Sequence, residues 1–119
     1  MDKIILPEIE VMACHGVEEW ETATPQPFCI SVELWLDLSP AAASDDVADT
    51  VHYGKLYVAI RRLAETNSFA LIETLAAAAA RLCLKDQRVE KAKVTVEKRQ
   101  AKYEGWTFPA KVVLERSRQ

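Results

Sequence analysis

The sequence is poor in the residues and segments that mark several classes of protein. Only 3 of its 119 residues are glycine and 5 are proline, which excludes collagen-like and low-complexity chains. Its three cysteines, Cys14, Cys29 and Cys83, are widely spaced and form no Cys-x-x-Cys pair, so we expect reduced thiols in a cytoplasmic protein. No apolar run approaches the roughly 20 residues that cross a bilayer, and the N-terminal apolar stretch is too short for a signal peptide.

The chain also lacks a strong excess of charge of either sign. Fifteen Lys and Arg residues against eighteen Asp and Glu give a net charge of −3, and no basic stripe indicates a nucleic-acid partner. Half of the residues are hydrophobic and 28% are charged, which is typical of a folded globular protein. We therefore expect a single domain over residues 1–119 that binds neither nucleic acid nor a membrane.

Motifs for phosphate, metal and nucleophilic chemistry are missing as well. The sequence contains no glycine-rich phosphate loop and no Gly-x-Ser-x-Gly elbow. Its two histidines, His15 and His52, belong to no metal-binding motif, and a site built from Cys14, His15 and His52 is the weak remaining option. We expect no metal and no other cofactor.

Residues 28–38 have the clearest periodicity in the chain. Apolar residues from Phe28 to Leu38 alternate with mostly polar ones, which predicts a long strand with one face in the core. Residues 3–14 predict an earlier strand, and residues 15–27, with their Gly, Thr and Pro residues, predict a connecting loop.

Two helices are predicted in the middle of the sequence. Apolar residues recur at helical spacing from Tyr53 to Glu65, and a second helix is predicted from Leu71 to Leu84. The core stripe of the second helix is predicted to contain Leu71, Leu75, Ala78 and Leu82. Its opposite face, Glu73, Ala77, Ala80 and Leu84, is nearly as apolar, which favours a second cover such as another subunit.

Two alternating segments close the chain and complete the predicted fold. Residues 91–97 and residues 106–115 predict strands, with a turn near residues 101–105. In the second strand the residues of one face, Trp106, Phe108, Ala110, Val112 and Leu114, alternate along the chain with those of the other face. The order ββααββ predicts an α+β fold, a four-stranded antiparallel sheet with two helices on one face. Sheets rarely leave long edges bare, so we also expect strand pairing between subunits.

Lys98 and Glu73 are the side chains whose positions most need explaining. Lys98 has the inward parity of Val94 and Val96, so either it enters a pocket suited to proton transfer or the strand ends before it and Lys98 opens a turn. Glu73 lies in the first turn of the second helix, where a carboxylate either stabilises the helix end or binds an amidine-like edge. Taken alone, Tyr53 fits an ordinary aromatic staple and Glu21 a solvated loop residue.

The order of several motifs resembles the dihydroneopterin aldolase family over nearly the whole chain. The stretch Asp46-x-x-Asp-Thr-x-x-Tyr53 and the stretch Leu71-Ile-Glu-Thr-Leu-Ala76 are its most specific parts, together with His15-Gly16, Glu21 and a strand that ends in Lys98. The resemblance implies the tunnelling fold, a four-stranded antiparallel sheet with two helices. It also implies subunits that pair edge to edge in ring tetramers, often stacked as octamers, with active sites between subunits.

The resemblance further implies a set of site residues. Glu73 would bind the 2-amino and N3 edge of a pterin with the backbone of Ile72 beside it, and Lys98 would be catalytic. Tyr53, from a neighbouring subunit, would also be catalytic, delivering or relaying a proton, with the backbone of Thr50 and Val51 beside it. Glu21 would be the third catalytic residue. The loop residues near the side chain of the substrate would be Glu21 and Gln26.

The implied reaction is metal-free retro-aldol cleavage of 7,8-dihydroneopterin in folate biosynthesis, with epimerisation at C2′ as a side reaction. The segment after Lys98 departs from the family, whose members commonly carry several prolines there, and Lys102 becomes a second candidate for the catalytic lysine. Because Arg99 and Lys102 could attract a triphosphate, a dihydroneopterin triphosphate epimerase remains an alternative. A tunnelling-fold protein that binds a pterin or purine without turnover is another.

Overall fold

A computed structural model describes residues 1–118 as one antiparallel sheet of four strands with helices on one face. The strands are adjacent in chain order, so β1 and β4 form the two edges. This is the predicted α+β architecture. The strands are β1 (Asp2–Ala13), β2 (Gln26–Leu36), β3 (Lys91–Tyr103) and β4 (Trp106–Ser117); the helices are α1 (Glu19–Ala23), α2 (Ser39–Ser44), α3 (Tyr53–Thr66) and α4 (Ile72–Cys83), with a 3₁₀ turn at Val47–Asp49.

The central strand β2 supplies the middle of the core. Its alternation places Phe28, Ile30, Val32, Leu34 and Leu36 on the helix-covered face, and all five are buried. The predicted strand ended at Leu38, but β2 ends at Leu36, because the following backbone turns into α2 and the Asp37 side chain accepts a hydrogen bond from the Ser39 N–H at 2.9 Å.

The two long helices begin and end close to the predicted residues. The ring of His52 caps α3, because its Nδ1 accepts a hydrogen bond from the Lys55 N–H at 3.1 Å. The predicted stripe of α4 is partly wrong: Leu71 is 47% exposed, and Ala80, predicted on the opposite face, is fully buried. The small side chains of the alanine run Ala76–Ala80 let the sheet and α3 approach two adjoining rows of α4. The buried residues of these rows are Leu75, Ala76, Ala78, Ala79, Ala80 and Cys83.

The β3–β4 hairpin is longer than the helices that cover it. β3 has 13 residues and so extends over about 43 Å, whereas the 14 residues of α3 extend over about 21 Å. The tip therefore projects beyond the helical layer, and Trp106 and Phe108, predicted to face the core, are exposed. The predicted turn at residues 101–105 is shorter in the structure, where Glu104 and Gly105 alone connect the strands.

The segment predicted as a loop, residues 15–27, contains a short helix. α1 occupies Glu19–Ala23, and β2 already begins at Gln26. The backbone N–H of Glu18 donates to Glu21 Oε1 at 3.2 Å, which is one half of a capping box. Thr24 and Pro25 then separate α1 from β2.

Two further observations concern the chain as a whole. The three cysteines are all free thiols. Within residues 1–118, no helix has both the length and the apolar character needed to cross a bilayer.

Candidate active site

Lys98 lies on the inward face of β3, at the rim of the helical layer. In the sheet register it is opposite Phe28 on β2 and Ala110 on β4. Val96, two residues earlier on the same face, is fully buried, whereas the Lys98 side chain keeps 15% of its surface exposed. The strand continues past Lys98, so the interpretation that Lys98 merely opens a turn is wrong.

The partner of Lys98 is Glu21, whose side chain is only 8% exposed. α1 carries Glu21 toward the end of β3, where its Oε2 accepts hydrogen bonds from Lys98 Nζ and, at 3.1 Å, from Gln26 Nε2. The other carboxylate oxygen accepts the backbone N–H of Glu18. Three of the residues assigned by resemblance are therefore in direct contact, and Glu21 is not the solvated loop residue that its position alone indicates.

The electrostatics of this cluster favour an ionised Glu21. Burial opposes ionisation, but the hydrogen bonds from Lys98, Gln26 and Glu18, together with the charge of Lys98, outweigh it, so the pKa of Glu21 is lowered. At neutral pH the cluster is thus a carboxylate held by three donors. Such an arrangement fixes the direction of the Lys98 side chain.

Gly16 makes room for the carboxylate of Glu21. A Cβ built at position 16 would overlap the carboxyl carbon and both oxygens of Glu21. The glycine is needed for close approach here, since its backbone φ is not in the left-handed region. In the sequence, Gly16 stands out only as part of the His15-Gly16 dipeptide.

Glu73 and Ile72 lie in the first turn of α4. Ile72 is half-buried against the core, and Glu73 is exposed on the side away from it, as predicted. The turn before α4 is joined to the Glu21 loop, because the Gly16 N–H donates to the Phe69 carbonyl oxygen at 3.0 Å. Glu73 and Ile72 therefore lie at the same end of the helical layer as the Lys98–Glu21 pair.

Thr50, Val51 and Tyr53 lie at the other end of that layer. Tyr53 begins α3 and is 62% exposed. Ala64, whose carbonyl oxygen contacts the ring of His15, lies eleven positions later in the same helix. At about 1.5 Å per residue, this places Tyr53 about 16 Å from the level of the Lys98 cluster. Within residues 1–118, no hydrogen bond joins Tyr53 to Glu21, Gln26 or Lys98.

The loop that leads to Tyr53 is held by Arg88. The guanidinium group of Arg88 donates to the carbonyl oxygens of Ala48 at 2.6 Å and Thr50 at 3.2 Å, and it pairs with Asp86 at 3.0 Å. Arg88 follows α4, so this contact ties the loop to the far end of the helical layer. The role of Arg88 is not predicted from the sequence, because a single surface arginine gives no pattern.

The basic residues after Lys98 are not grouped in an anion site. Arg99 pairs with Glu97 at 3.3 Å and with Glu8 and Glu10 at 3.7 Å each. Lys102 lies at the exposed hairpin tip, where a cleft of about 380 Å³ is also lined by Glu18 and Glu104. Lys98, and not Lys102, is the lysine that contacts Glu21.

The side chains considered for a metal do not form a site. Among residues 1–118, no group of three or more His, Cys, Asp and Glu side chains could hold a metal ion. Both ring nitrogens of His15 are engaged by backbone groups, and His52 caps α3. The combination of Cys14, His15 and His52 is therefore not assembled.

Comparisons with known proteins identify the family of the chain. The family described as dihydroneopterin aldolase matches residues 4–115. A dihydroneopterin aldolase of Methylorubrum extorquens is 44% identical over 98 residues, which are 82% of this chain and 75% of the relative. One from Streptococcus pyogenes is 35% identical over 119 residues, covering 99% of this chain and 100% of the relative.

A solved structure extends the comparison to the fold. The crystal structure of Escherichia coli dihydroneopterin aldolase in complex with neopterin has a TM-score of 0.87 and 28% sequence identity, and the match covers 98% of this chain and 100% of that chain. The similarity in sequence thus extends over the same region as the similarity in fold. On these grounds the chain belongs to the dihydroneopterin aldolase family.

Proposed function

We propose that the protein cleaves 7,8-dihydroneopterin by a retro-aldol reaction, giving 6-hydroxymethyl-7,8-dihydropterin and glycolaldehyde. The observation that carries the proposal is the contact of Lys98, Glu21 and Gln26 beside the first turn of α4. This contact supplies an oriented amine, that of Lys98, at the same end of the helical layer as the Glu73 carboxylate, which can anchor a heterocycle. The reaction belongs to folate biosynthesis.

Glu73 is the proposed anchor for the pterin ring. Its exposed carboxylate can accept two parallel hydrogen bonds from the 2-amino group and N3–H, while the backbone of Ile72 borders the same edge. The relative from Escherichia coli was crystallised with neopterin, which supports a ligand of this class. The trihydroxypropyl side chain of the substrate then extends toward Glu21, Gln26 and Lys98.

The chemical step begins with the 2′-hydroxyl group. Lys98 acts from its neutral amine form, which exists after the ammonium group of the resting pair with Glu21 has given one proton to solvent. The amine takes the proton of the 2′-hydroxyl group, directly or through one water molecule, and the O2′ electrons form a carbonyl as the C1′–C2′ bond breaks. The released electron pair passes into the C6–N5 imine, and glycolaldehyde leaves. Because the ring imine accepts the electrons, the step needs neither a Schiff base nor a metal.

The second half of the reaction returns the proton. The enamine intermediate is protonated at C1′ through Tyr53, which gives the hydroxymethyl product, and the ring imine is restored. Glu21 stabilises the ammonium form of Lys98 between the two proton transfers. If glycolaldehyde adds back to the enamine intermediate before glycolaldehyde leaves the site, the same groups produce the C2′ epimer.

The proposed site contains residues of two subunits. Tyr53, Thr50 and Val51 lie at the far end of the helical layer from their own Lys98, about 16 Å away along α3. A second copy of the chain can bring these residues to the pterin if β1 and β4, the edges of the sheet, pair between copies. We therefore propose a homo-oligomer, with ring tetramers that stack as octamers.

The proposal also includes a cellular setting and a preference among substrates. The three free cysteines, two of them buried, are consistent with a reducing cytoplasm. The triphosphate alternative is disfavoured, because Arg99 is already surrounded by three carboxylates and Lys102 shares its cleft with two more.

The experiment is product analysis by chromatography after incubation with 7,8-dihydroneopterin, with and without EDTA. We expect 6-hydroxymethyl-7,8-dihydropterin and glycolaldehyde in both samples, and loss of both with Lys98→Ala. The matched control is Lys102→Ala, which removes the same charge from the exposed part of the same hairpin and keeps activity. Pterin binding without turnover would favour a binding protein, and epimerisation of the triphosphate alone would favour the epimerase.

A further inference from the structure

His15 is fully buried although it takes part in none of the proposed chemical steps. We propose that its neutral ring is a positioning residue that holds the Glu21–Lys98 pair and the pterin-binding turn of α4 in a fixed relation. The inference deepens the proposed function and rests on it for the identification of these residues as an active site. The contacts of His15 that hold these two parts together do not depend on that function.

The two ring nitrogens of His15 contact two different backbone groups. Nδ1 accepts a hydrogen bond from the Phe69 N–H at 2.9 Å, and Nε2 lies 2.8 Å from the Ala64 carbonyl oxygen. An N–H group can only donate and a carbonyl oxygen can only accept, so the proton must be on Nε2. The neutral ring in this tautomer satisfies both neighbours, and a doubly protonated ring would lose the bond to Phe69.

These bonds fasten the turn before α4 to the end of β1. The Gly16 N–H donates to the Phe69 carbonyl oxygen at 3.0 Å, and the Ser68 hydroxyl donates to the Cys14 carbonyl oxygen at 2.6 Å. Together with the His15 bond, three hydrogen bonds join residues 14–16 to residues 68–69. Leu71, the N-cap of α4, follows only two residues after Phe69, so the position of Glu73 depends on this connection.

The same connection reaches the catalytic pair from the other side. Gly16 lies against the carboxyl group of Glu21, with no room for a Cβ between them. The His15 ring also packs edge to face on Phe28, with ring centroids 5.2 Å apart, and Phe28 is opposite Lys98 in the sheet. His15 therefore contacts both Phe69, in the turn that precedes Glu73, and Phe28, the residue opposite Lys98.

Phe69 completes the packing around the ring. It stacks on His15 with centroids 5.6 Å apart and an interplanar angle of 12°. The ring is thus fixed by a stacked neighbour, an edge-on neighbour and two hydrogen bonds. A side chain held in this way has one orientation, which is what positioning requires.

The test compares two substitutions that each keep one of the hydrogen bonds. In His15→Asn the amide oxygen occupies the place of Nδ1 and can accept from Phe69, while the bond to Ala64 is lost. In His15→Gln the amide nitrogen occupies the place of Nε2 and can donate to Ala64, while the bond to Phe69 is lost. Ile60→Ala, in the buried middle of α3, is the control for lost stability.

We expect kcat, measured well below each melting temperature, to fall about tenfold or more in His15→Gln and less than about threefold in His15→Asn. Ile60→Ala should lower the melting temperature and leave kcat unchanged. Wild-type kcat in both His15 variants would overturn the proposal, and so would an equal loss in both, because the Phe69 bond would then not be what positions the site.

A second measurement separates this inference from the proposed function. Affinity for neopterin, followed by its fluorescence, should weaken in His15→Gln more than in His15→Asn even if the wild-type protein performs no cleavage. Absence of turnover in the wild type would therefore contradict the proposed function alone. Unchanged neopterin affinity in both variants would contradict the positioning role of His15.

Discussion

Lys98 and Glu21, 77 positions apart in the chain, form a hydrogen-bonded ion pair where the helical layer ends. Glu21 belongs to α1 and Lys98 to β3. Gln26, at the start of β2, donates to the same carboxylate oxygen as Lys98. The three residues act as one unit, so we expect substitutions among them to be non-additive.

The first prediction concerns the ion pair itself. Lys98→Met leaves a nearly buried carboxylate without its charged partner, so we expect the free energy of unfolding to fall by about 1–3 kcal/mol at pH 7. The double variant Lys98→Met/Glu21→Gln should regain part of this loss, because no carboxylate remains. Chemical denaturation measures both. A double variant less stable than the sum of the two single changes would contradict the pairing.

The second prediction concerns Gly16. Gly16→Ala must displace the carboxyl group of Glu21, because the added methyl overlaps it, and we expect kcat to fall about 10–100-fold. Gly105→Ala is the matched control: its backbone φ of +83° makes alanine strained there, but nothing lies within 4 Å of the new methyl. It should cost stability and keep kcat. Equal kcat in both variants would show that Glu21 is not placed by Gly16.

The third prediction concerns the loop that carries Thr50 and Val51. Arg88→Ala removes two hydrogen bonds to this loop, and we expect KM for 7,8-dihydroneopterin to rise about 3–10-fold with little change in kcat. Lys3→Ala, which removes an exposed ion pair with Glu33 elsewhere on the sheet, should leave KM unchanged. Steady-state kinetics of both variants give the comparison. A fall in kcat alone would count against a binding role for the loop.

The fourth prediction follows from a site shared between copies. Tyr53→Phe and Lys98→Ala should each be nearly inactive, but co-refolding them in equal amounts should restore activity. Random pairing gives about a quarter of the interfaces one intact Lys98 and one intact Tyr53. Activity that never exceeds the sum of the two parents would show that each chain builds its own site.

The fifth prediction concerns pH and His15. Burial lowers the pKa of His15 below its usual 6.5; the bond to Ala64 opposes this effect, and the charge of Lys98 adds to it. As the pH falls from about 7 to about 5, the unfolded chain therefore binds a proton at His15 more readily than the folded chain does. Stability should decrease over this range, and His15→Asn should show a smaller decrease. Parallel curves for the two proteins in chemical denaturation would contradict the prediction.

The sequence predicted elements whose two faces differ strongly in polarity. β2 alternates from Phe28 onward, and the same parity on β3 placed Lys98 on the inward face beside the core. In α3, apolar residues at helical spacing predict the helix. In these segments a single periodicity identifies both the element and its buried face.

The wrong predictions concern segments whose faces are similar in hydrophobicity, or segments in which an element far along the chain determines which residues are buried. α4 contains five consecutive alanines, so its sequence does not show which of its rows is buried, and Ala80 is predicted on the wrong face. Trp106 and Phe108 have the right alternation but lie beyond the end of the helices, whose length the strand pattern does not reveal. α1 is too short for periodicity, and its one local sign is the Glu18-x-x-Glu21 spacing.

The candidate site divides in the same way. Lys98 and Glu73 could be located from parity and helix position, whereas Glu21 and Gln26 needed the resemblance, because nothing local shows that a loop carboxylate will be buried. The contacts of His15 and Arg88 are to backbone groups far along the chain. Such contacts leave no residue pattern and become visible only in three dimensions.

The antiparallel pairing of β2 with β3 has a consequence for when the Lys98–Glu21 pair is expected to form during folding. Phe28 and Lys98 face each other in this pairing, yet α2, α3 and α4 all lie between them in the chain. Closing so long a loop is slow compared with forming α3 or the β3–β4 hairpin, because its entropy is lost before its contacts are made. We therefore expect the β3–β4 hairpin to form before the Lys98–Glu21 pair.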